Sequence, residues 1–158
     1  MKEILDESKQ DELNSLSEET QFLSFSISNE IFGVDLLRVH EILRIVYVTR
    51  IPNVDESIIG VINLRGEIIP VVDLKKKFDQ GFTAITPNSR FIVTEMGSRR
   101  IGILVEEVKQ VIKIRKDTIS EITDSLSSNF NNLVDHVGRN EDRLVLLIEL
   151  SKIIQLEG

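Results

Sequence analysis

The side chains that most often perform chemistry are few in this sequence and form no known catalytic or metal-binding motif. Cysteine is absent, which excludes disulfide bonds, thiolate zinc sites, iron–sulfur clusters and cysteine nucleophiles. The two histidines, His40 and His136, are far apart and in no metal-ligand spacing, so we interpret both as surface residues. No phosphate-binding glycine loop or nucleophile elbow occurs. The sequence therefore predicts no catalytic, cofactor-binding or metal-binding residues.

One pair of adjacent acids, Glu106 and Glu107, has the residue types that a carboxylate hydrolase uses. Consecutive residues of a strand point to opposite faces, so these two carboxylates would not converge on one substrate. No set of converging polar groups, as a small β-barrel enzyme or ligand-binding barrel would need, can be recognised. We therefore expect a protein without enzymatic activity.

A polar corner, Asn63–Glu67, stands between two very apolar runs, residues 58–62 and 68–72. One interpretation is a hairpin turn in which Gly66 supplies a positive φ and Arg65 is only solvated. The other is that rigid strands present the Arg65 guanidinium to a partner. The residue types alone leave both interpretations open.

Alternating apolar and polar residues predict strands along most of the chain. Leu23, Phe25 and Ile27 alternate with serines, and a second alternation after Asn29–Glu30 predicts a hairpin. The spacing then lengthens over residues 36–46 and predicts one short helix. Pro70 predicts an edge strand or a bulge, and a closing helix is expected near residues 151–155. Val39 and Ile42 on the predicted helix could pack inward or line a groove for a partner helix.

The second half of the sequence repeats the first. A shift of 69 residues places Phe22-Leu23 over Phe91-Ile92 and Gly33-Val34 over Gly102-Ile103, and a shift of 76 aligns residues 69–74 with 145–150. The additional residues fit a loop insertion within 118–132. The repeated glycines, Gly33 and Gly102, mark either bulges or close backbone approaches, and we favour bulges. Two similar small barrels follow, and strands could be exchanged between them.

Charge and composition limit the organisation of the chain. Residues 1–20 hold seven acidic and two basic side chains, so most of the formal net charge of −7 lies in this segment, which we interpret as a flexible tail. The rest, residues 21–156, has globular composition and divides at a polar loop into approximately 21–80 and 89–156. It shows no basic face for nucleic acid, no signal peptide and no membrane-spanning run. We expect a cytoplasmic protein.

Three blocks of sequence resemble the CheW family of chemotaxis coupling proteins. They are Phe32–Ile42, Thr49–Asn53 and, most specific, Gly60–Leu74 with its Asn-Leu-Arg-Gly core. The resemblance implies a mainly β fold of two five-stranded SH3-like barrels packed together, with one or two short helices. It also implies a non-catalytic adaptor that couples chemoreceptors to a histidine kinase.

The resemblance implies two partners and a set of contact residues. The partners are the regulatory domain of a CheA-type histidine kinase and the hairpin tip of a chemoreceptor, which recruit the protein to membrane-associated arrays. Receptor or array contacts are implied for Val39, Glu41, Ile42 and above all Arg65. Gly102 and Val108 are similar to family positions that line the groove between the barrels.

The sequence departs from the family at two places. Phe32 stands where a tyrosine is usual, and Leu133–Gly138 replaces an aromatic segment that we place in a loop beside the second barrel. The second change affects any family contact made there. An alternative is therefore a CheW-like adaptor of a non-flagellar chemosensory pathway, serving pili-driven motility or gene regulation.

Overall fold

The computed structural model describes residues 18–155, and this part of the chain is built mainly from strands. The strands are β1 Glu19–Ile27, β2 Glu30–Asp35, β3 Val39–Arg44, β4 Ile58–Leu64, β5 Glu67–Asp73, β6 Arg90–Met96, β7 Arg99–Val105, β8 Glu107–Arg115, β9 Ser120–Glu121, β10 Val134–Asn140 and β11 Arg143–Ile148. The helices are α1 Leu74–Lys77, α2 Asp124–Ser128 and α3 Leu150–Gln155, and 3₁₀ turns span Leu36–Arg38 and Lys116–Thr118. The mainly β class and the closing helix are confirmed.

The strands form two sheets, and each sheet takes strands from both halves of the sequence. One sheet has the order β8-β1-β2-β11-β10-β9 and the other β3-β6-β7-β5-β4. Neighbours pair antiparallel except at two places, where β11 runs parallel to β2 and β5 runs parallel to β7. The first hairpin of each half therefore joins the last strands of the other half. The sixth strand of the larger sheet is the two-residue β9.

The internal repeat predicted from the sequence is confirmed by the strand bounds. The shift of 69 residues carries β2 onto β7 and β3 into β8, and the shift of 76 carries β4 and β5 onto β10 and β11. The helices α1 and α3, which follow β5 and β11, correspond as well. Because both sheets mix the halves, the division at 21–80 and 89–156 stays a prediction about domain organisation.

The largest hydrophobic core lies between the two sheets. It contains Phe25 and Phe32 from one sheet and Ile92 and Ile103 from the other, all nearly inaccessible to solvent. Four aromatic rings pack within it at centroid distances of 5.2 to 5.8 Å, namely those of Phe25, Phe32, Phe78 and Phe130. Each sheet also carries a smaller hydrophobic cluster of its own. Burial of this shared core holds the two sheets together.

The helix predicted over residues 36–46 is wrong. Asp35 caps a single 3₁₀ turn by accepting a hydrogen bond from the Leu37 amide, and β3 begins at Val39. In β3 half-buried and exposed residues alternate, as expected for a strand with one face inward. The apolar residues that suggested a helical period lie in two different elements and the loop after them. Pairing with β6 decides the local structure.

Four smaller predictions also need correction. Neither repeated glycine marks a bulge: a Cβ on Gly33 would lie 3.2 Å from the Leu147 side chain, so this glycine lies at a close packing contact. Pro70 lies in an inner strand, and the pairing of β5 with β7 begins at the next residue. The segment 118–132 holds α2, and His136 with the rest of the atypical segment 134–138 lies in β10 instead of a loop.

The predicted tail over residues 1–20 is described only at its end. Strand β1 begins at Glu19, where it pairs with Arg115 of β8, so the fold starts before Gln21. The Lys116 amide also donates to the Glu18 carbonyl. Residues 1–17 lie outside the described part of the chain.

Candidate partner-contact surface

Four of the six predicted contact residues lie on the five-stranded sheet, and two of them, Glu41 and Arg65, are in contact. Val39, Glu41 and Ile42 lie on β3, and Arg65 lies in the turn between β4 and β5. Although β3 and β4 are the two outer strands of this sheet, an Arg65 Nη2 donor contacts Glu41 Oε1. The sheet must therefore curl until its edges approach each other. Thr49 and Val61, which exchange two backbone hydrogen bonds of 2.8 Å, support the same closure.

The turn that carries Arg65 has a fixed backbone. Arg65 and Gly66 have φ values of 51° and 88°, the pattern of a two-residue type I′ hairpin turn. The Asn63 side chain accepts a hydrogen bond of 2.9 Å from the Gly66 amide. The corner thus combines features of both interpretations. Gly66 supplies the positive φ, and the hairpin holds the exposed arginine in place. The Arg65 side chain is 68% exposed, so most of its donors are accessible.

A β-bulge positions the other half of this pair. Val39 pairs with Thr94 and Glu41 with Val93, so His40 is an extra residue in β3. A bulge changes the direction of the side chains next to it. His40 Nε2 consequently lies 3.5 Å from Glu41 Oε1, although neighbours in a regular strand point to opposite faces.

Gly102 and Val108 are placed differently. Gly102 lies in β7 and is buried, and a Cβ at this position would lie 3.3 Å from Val71. Val108 lies in β8 of the other sheet, half-buried against the main core. Gly102 pairs with Val71 on β5, six residues beyond Arg65, and Val108 belongs to the other sheet. Their predicted contact role stays a prediction.

An apolar groove lies at the other end of β4 and β5 from the Arg65 turn, where Ile58 and Asp73 line it, and it was not predicted from the sequence. It has a volume of about 650 Å³, and its apolar lining includes Ile51, Val54, Phe82 and Ile85. These four side chains lie in loops and are 38 to 58% exposed. The sequence signal was present, because large apolar residues in polar, Pro-containing loops have no strand or helix face to bury them.

The electrostatics of the surface depend mainly on ion pairs. Arg100 donates to Glu95 and lowers the pKa of the Glu95 carboxyl below its ordinary value, and the same contact raises the pKa of Arg100. Hydrogen bonds from Ser57 lower the pKa of Asp55 beside the apolar groove. These groups carry their charges at neutral pH. The surface can therefore bind a partner through charged hydrogen bonds next to apolar contacts.

Buried polar groups elsewhere serve the fold. Asp73 is almost fully buried, accepts two hydrogen bonds from Thr83 and caps α1 through the Lys76 amide. Within residues 18–155, no three metal-ligating side chains come together. None of the helices in this part of the chain has the length and apolarity needed to cross a membrane.

Comparison with known proteins agrees with this arrangement. A family model described as CheW-like domain matches residues 21–158. The chain is 34% identical over 137 residues to the chemotaxis protein CheW of Klebsiella aerogenes, covering 87% of this chain and 82% of that protein. It is 27% identical over 159 residues to the chemotaxis protein CheW of Helicobacter pylori, covering 98% and 96%.

A solved structure gives the same result. The crystal structure of the scaffolding protein TtCheW from Thermoanaerobacter tengcongensis aligns with a TM-score of 0.76 and 34% sequence identity, over 84% of this chain and 86% of that one. The similarity thus extends through both sheets and the Arg65 turn. The chain belongs to the CheW family of chemotaxis scaffold proteins.

Proposed function

We propose that this protein is a non-catalytic adaptor that couples chemoreceptors to a CheA-type histidine kinase. The observation that carries the proposal is the exposed Arg65 turn, joined to Glu41 and placed beside exposed apolar residues on a rigid sheet. Such a surface suits recognition of another protein. Family membership supports the assignment of the partners.

The receptor contact would use β3 and the Arg65 turn together. Arg65 can donate to a carboxylate of the partner while it still contacts Glu41, because a guanidinium has five N–H donors in a planar fork. Ile42 is 43% exposed and offers apolar area on β3, on the face opposite to Glu41. An amphipathic helical hairpin, with an apolar stripe bordered by acids, fits this combination. Val39 would support the contact surface indirectly, because it packs against the main core and so holds β3 in place.

Gly102 and Val108 would contribute indirectly. Gly102 permits the close approach of Val71 and so sets how β5, the strand that follows the Arg65 turn, lies against β7. Val108 joins β8 to the main core. We expect substitutions here to change coupling through the arrangement of the two sheets.

The adaptor itself would catalyse nothing and require no cofactor, metal ion, nucleic acid or membrane insertion. It would act in the cytoplasm at membrane-associated receptor arrays. Its effect on the kinase is limited by the difference between its affinities for the active and inactive arrangements of the partners.

Two binding experiments test the proposal. The full chain is titrated by calorimetry into the regulatory domain of the CheA-type kinase and, separately, into a soluble receptor hairpin. Arg65→Asn removes the guanidinium but tolerates the positive φ, and Glu141→Asn, at a left-handed residue in the β10–β11 turn, is the matched control. We expect kinase binding in all three proteins and weaker receptor binding only in Arg65→Asn.

Two other outcomes would change the account. If no CheA-type kinase binds, the coupling function is wrong. If the chain binds only the kinase of a pili-motility or gene-regulation pathway, the adaptor function holds and the alternative pathway replaces flagellar chemotaxis.

A further inference from the structure

Arg100 connects two strands next to the Arg65 turn. Its Nε lies 2.6 Å from Glu95 Oε2, on β6, and its Nη1 lies 2.5 Å from Glu67 Oε1, at the start of β5. Two nitrogen atoms of one guanidinium thus bind two carboxylates on different strands. Arg100 and Glu95 are directly opposite each other in the β6–β7 hairpin. The register of that hairpin therefore fixes one of the two contacts.

The second contact reaches a part of β5 that pairs with β4 but not with β7. β5 pairs with β7 only from Val71 onward, and Pro70 has no N–H to extend the ladder. Residues 67–70 and the Arg65 turn therefore extend past the β5–β7 pairing. The Arg100–Glu67 contact ties this extension back to β7.

His40 links Glu95, which binds Arg100, to Glu41, which binds Arg65. His40 Nδ1 lies 3.8 Å from Glu95 Oε2, and its Nε2 lies 3.5 Å from Glu41 Oε1. The turn is consequently held at two points, by its own arginine against β3 and by Glu67 against Arg100. Glu95 lies within 4 Å of both Arg100 and His40.

Charge and exposure favour a specific orienting role for Arg100. Its side chain is 28% exposed, and both carboxylates that it binds are more accessible than it is. The Glu95 contact lowers the pKa of Glu95, so this pair stays ionised well below neutral pH. A lysine would replace it only in part, because a single ammonium keeps the charge but does not present two donors in a fixed fork.

We propose that Arg100 is a positioning residue for the contact surface: by binding Glu67 and Glu95 at once, it holds the β4–β5 turn so that Arg65 projects toward the receptor. The identity of the partner rests on the proposed function. The restraint of the turn is a property of the chain itself and is tested separately.

The first test measures the turn in the free protein. Backbone ¹⁵N relaxation of Arg65 and Gly66, and of the Arg65 side-chain Nε–H, is recorded for the full chain and for Arg100→Gln, Arg100→Lys and the control Arg44→Gln. We expect lower order parameters at the turn in Arg100→Gln, an intermediate result in Arg100→Lys and no change in the control. An unchanged turn in Arg100→Gln would overturn the proposal.

The second test is a double-mutant cycle on binding to the soluble receptor hairpin. Arg100→Gln should lower affinity about three- to tenfold in the natural background and leave it unchanged in Arg65→Asn, because Arg100 acts only through Arg65. Binding to the kinase regulatory domain should not change. Equal losses in both backgrounds would show that Arg100 merely stabilises the sheet, which contradicts the positioning role.

The two tests separate the two proposals. If the unmodified chain binds no receptor hairpin, the proposed function fails, and the relaxation data still decide whether Arg100 restrains the turn. If the receptor binds and the turn is equally ordered without Arg100, only the positioning role fails.

Discussion

The two repeats of this chain share a strand bulge and a left-handed first residue in the turn, but present different side chains there. In the first, β3 has its bulge at His40 and the β4–β5 turn begins with Arg65 at φ 51°. In the second, β8 has a bulge against β1 in the corresponding place, and the β10–β11 turn begins with Glu141 at φ 56°. The bulge and the turn are thus duplicated, whereas the chemistry that they carry is not.

The difference is clearest at the residues that correspond to Glu41 and Arg65. The shifts of 69 and 76 residues place Gln110 and Glu141 there, a combination that cannot form an ion pair. The Gln110 backbone instead exchanges hydrogen bonds with the Ser24 hydroxyl, at 2.7 and 3.2 Å. Since the fold forms this unit without the Glu–Arg pair, the pair in the first repeat is available for recognition.

The largest expected effect is on the free energy of unfolding. It comes from a glycine that has no room for a side chain, at a position where the repeats differ. Gly60 has φ 145°, and a Cβ there would lie 2.2 Å from the Thr49 carbonyl oxygen. The corresponding residue of the second repeat, His136, carries a side chain. Gly60→Ala should lower the free energy of unfolding by about 3 kcal/mol, and His136→Ala by about 1 kcal/mol. Urea denaturation of the full chain measures both, and equal losses would contradict this comparison.

The next effect concerns binding. Arg65→Asn and Glu141→Asn are matched substitutions, because both residues have a left-handed backbone that asparagine tolerates. We expect Arg65→Asn to lower receptor affinity about tenfold or more and Glu141→Asn to change it by about twofold at most. Calorimetric titration with the soluble receptor hairpin measures the difference. Similar losses at the two turns would mean that both repeats contact the receptor.

Exchanging the charges of the first repeat separates recognition from stability. The variant with Glu41→Arg and Arg65→Glu keeps an attractive pair, so its free energy of unfolding should stay within about 1 kcal/mol of the natural chain. Receptor binding should still be lost, because the exposed guanidinium is now a carboxylate. Denaturation and titration of the same sample test this. Retained binding would show that the receptor requires an ion pair between positions 41 and 65 but not its orientation.

The smallest effect is the pH dependence of the Glu95–Arg100 contact, which lies in the second repeat and has no counterpart in the first, where the corresponding residues are Ser26 and Ile31. Because folding lowers the pKa of Glu95 from its ordinary 4.5, the contact stabilises the fold above that value. The contribution is lost as pH falls through the lowered pKa. The stability difference between the natural chain and Glu95→Gln should therefore shrink in acid, as urea denaturation at several pH values would show. A constant difference would contradict the assignment.

The sequence predicted the repeat, most strands and the Arg65 turn, because period-2 alternation and turn residues act locally. It failed at β3, where the helical spacing of residues 36–46 was overridden by pairing with β6, which lies some fifty residues later in the chain. The Arg65–Glu41 contact needed the curl of the sheet, and the Arg100 contacts needed the β7 register. Such long-range pairings have no local signal.

The most direct test of the adaptor function measures histidine-kinase activity in a reconstituted mixture of receptor, kinase and the full chain. The account predicts that a receptor ligand changes kinase output only when the chain is present, and that Arg65→Asn abolishes this control while Glu141→Asn preserves it. Kinase output that ignores the receptor in the presence of the natural chain would contradict the account.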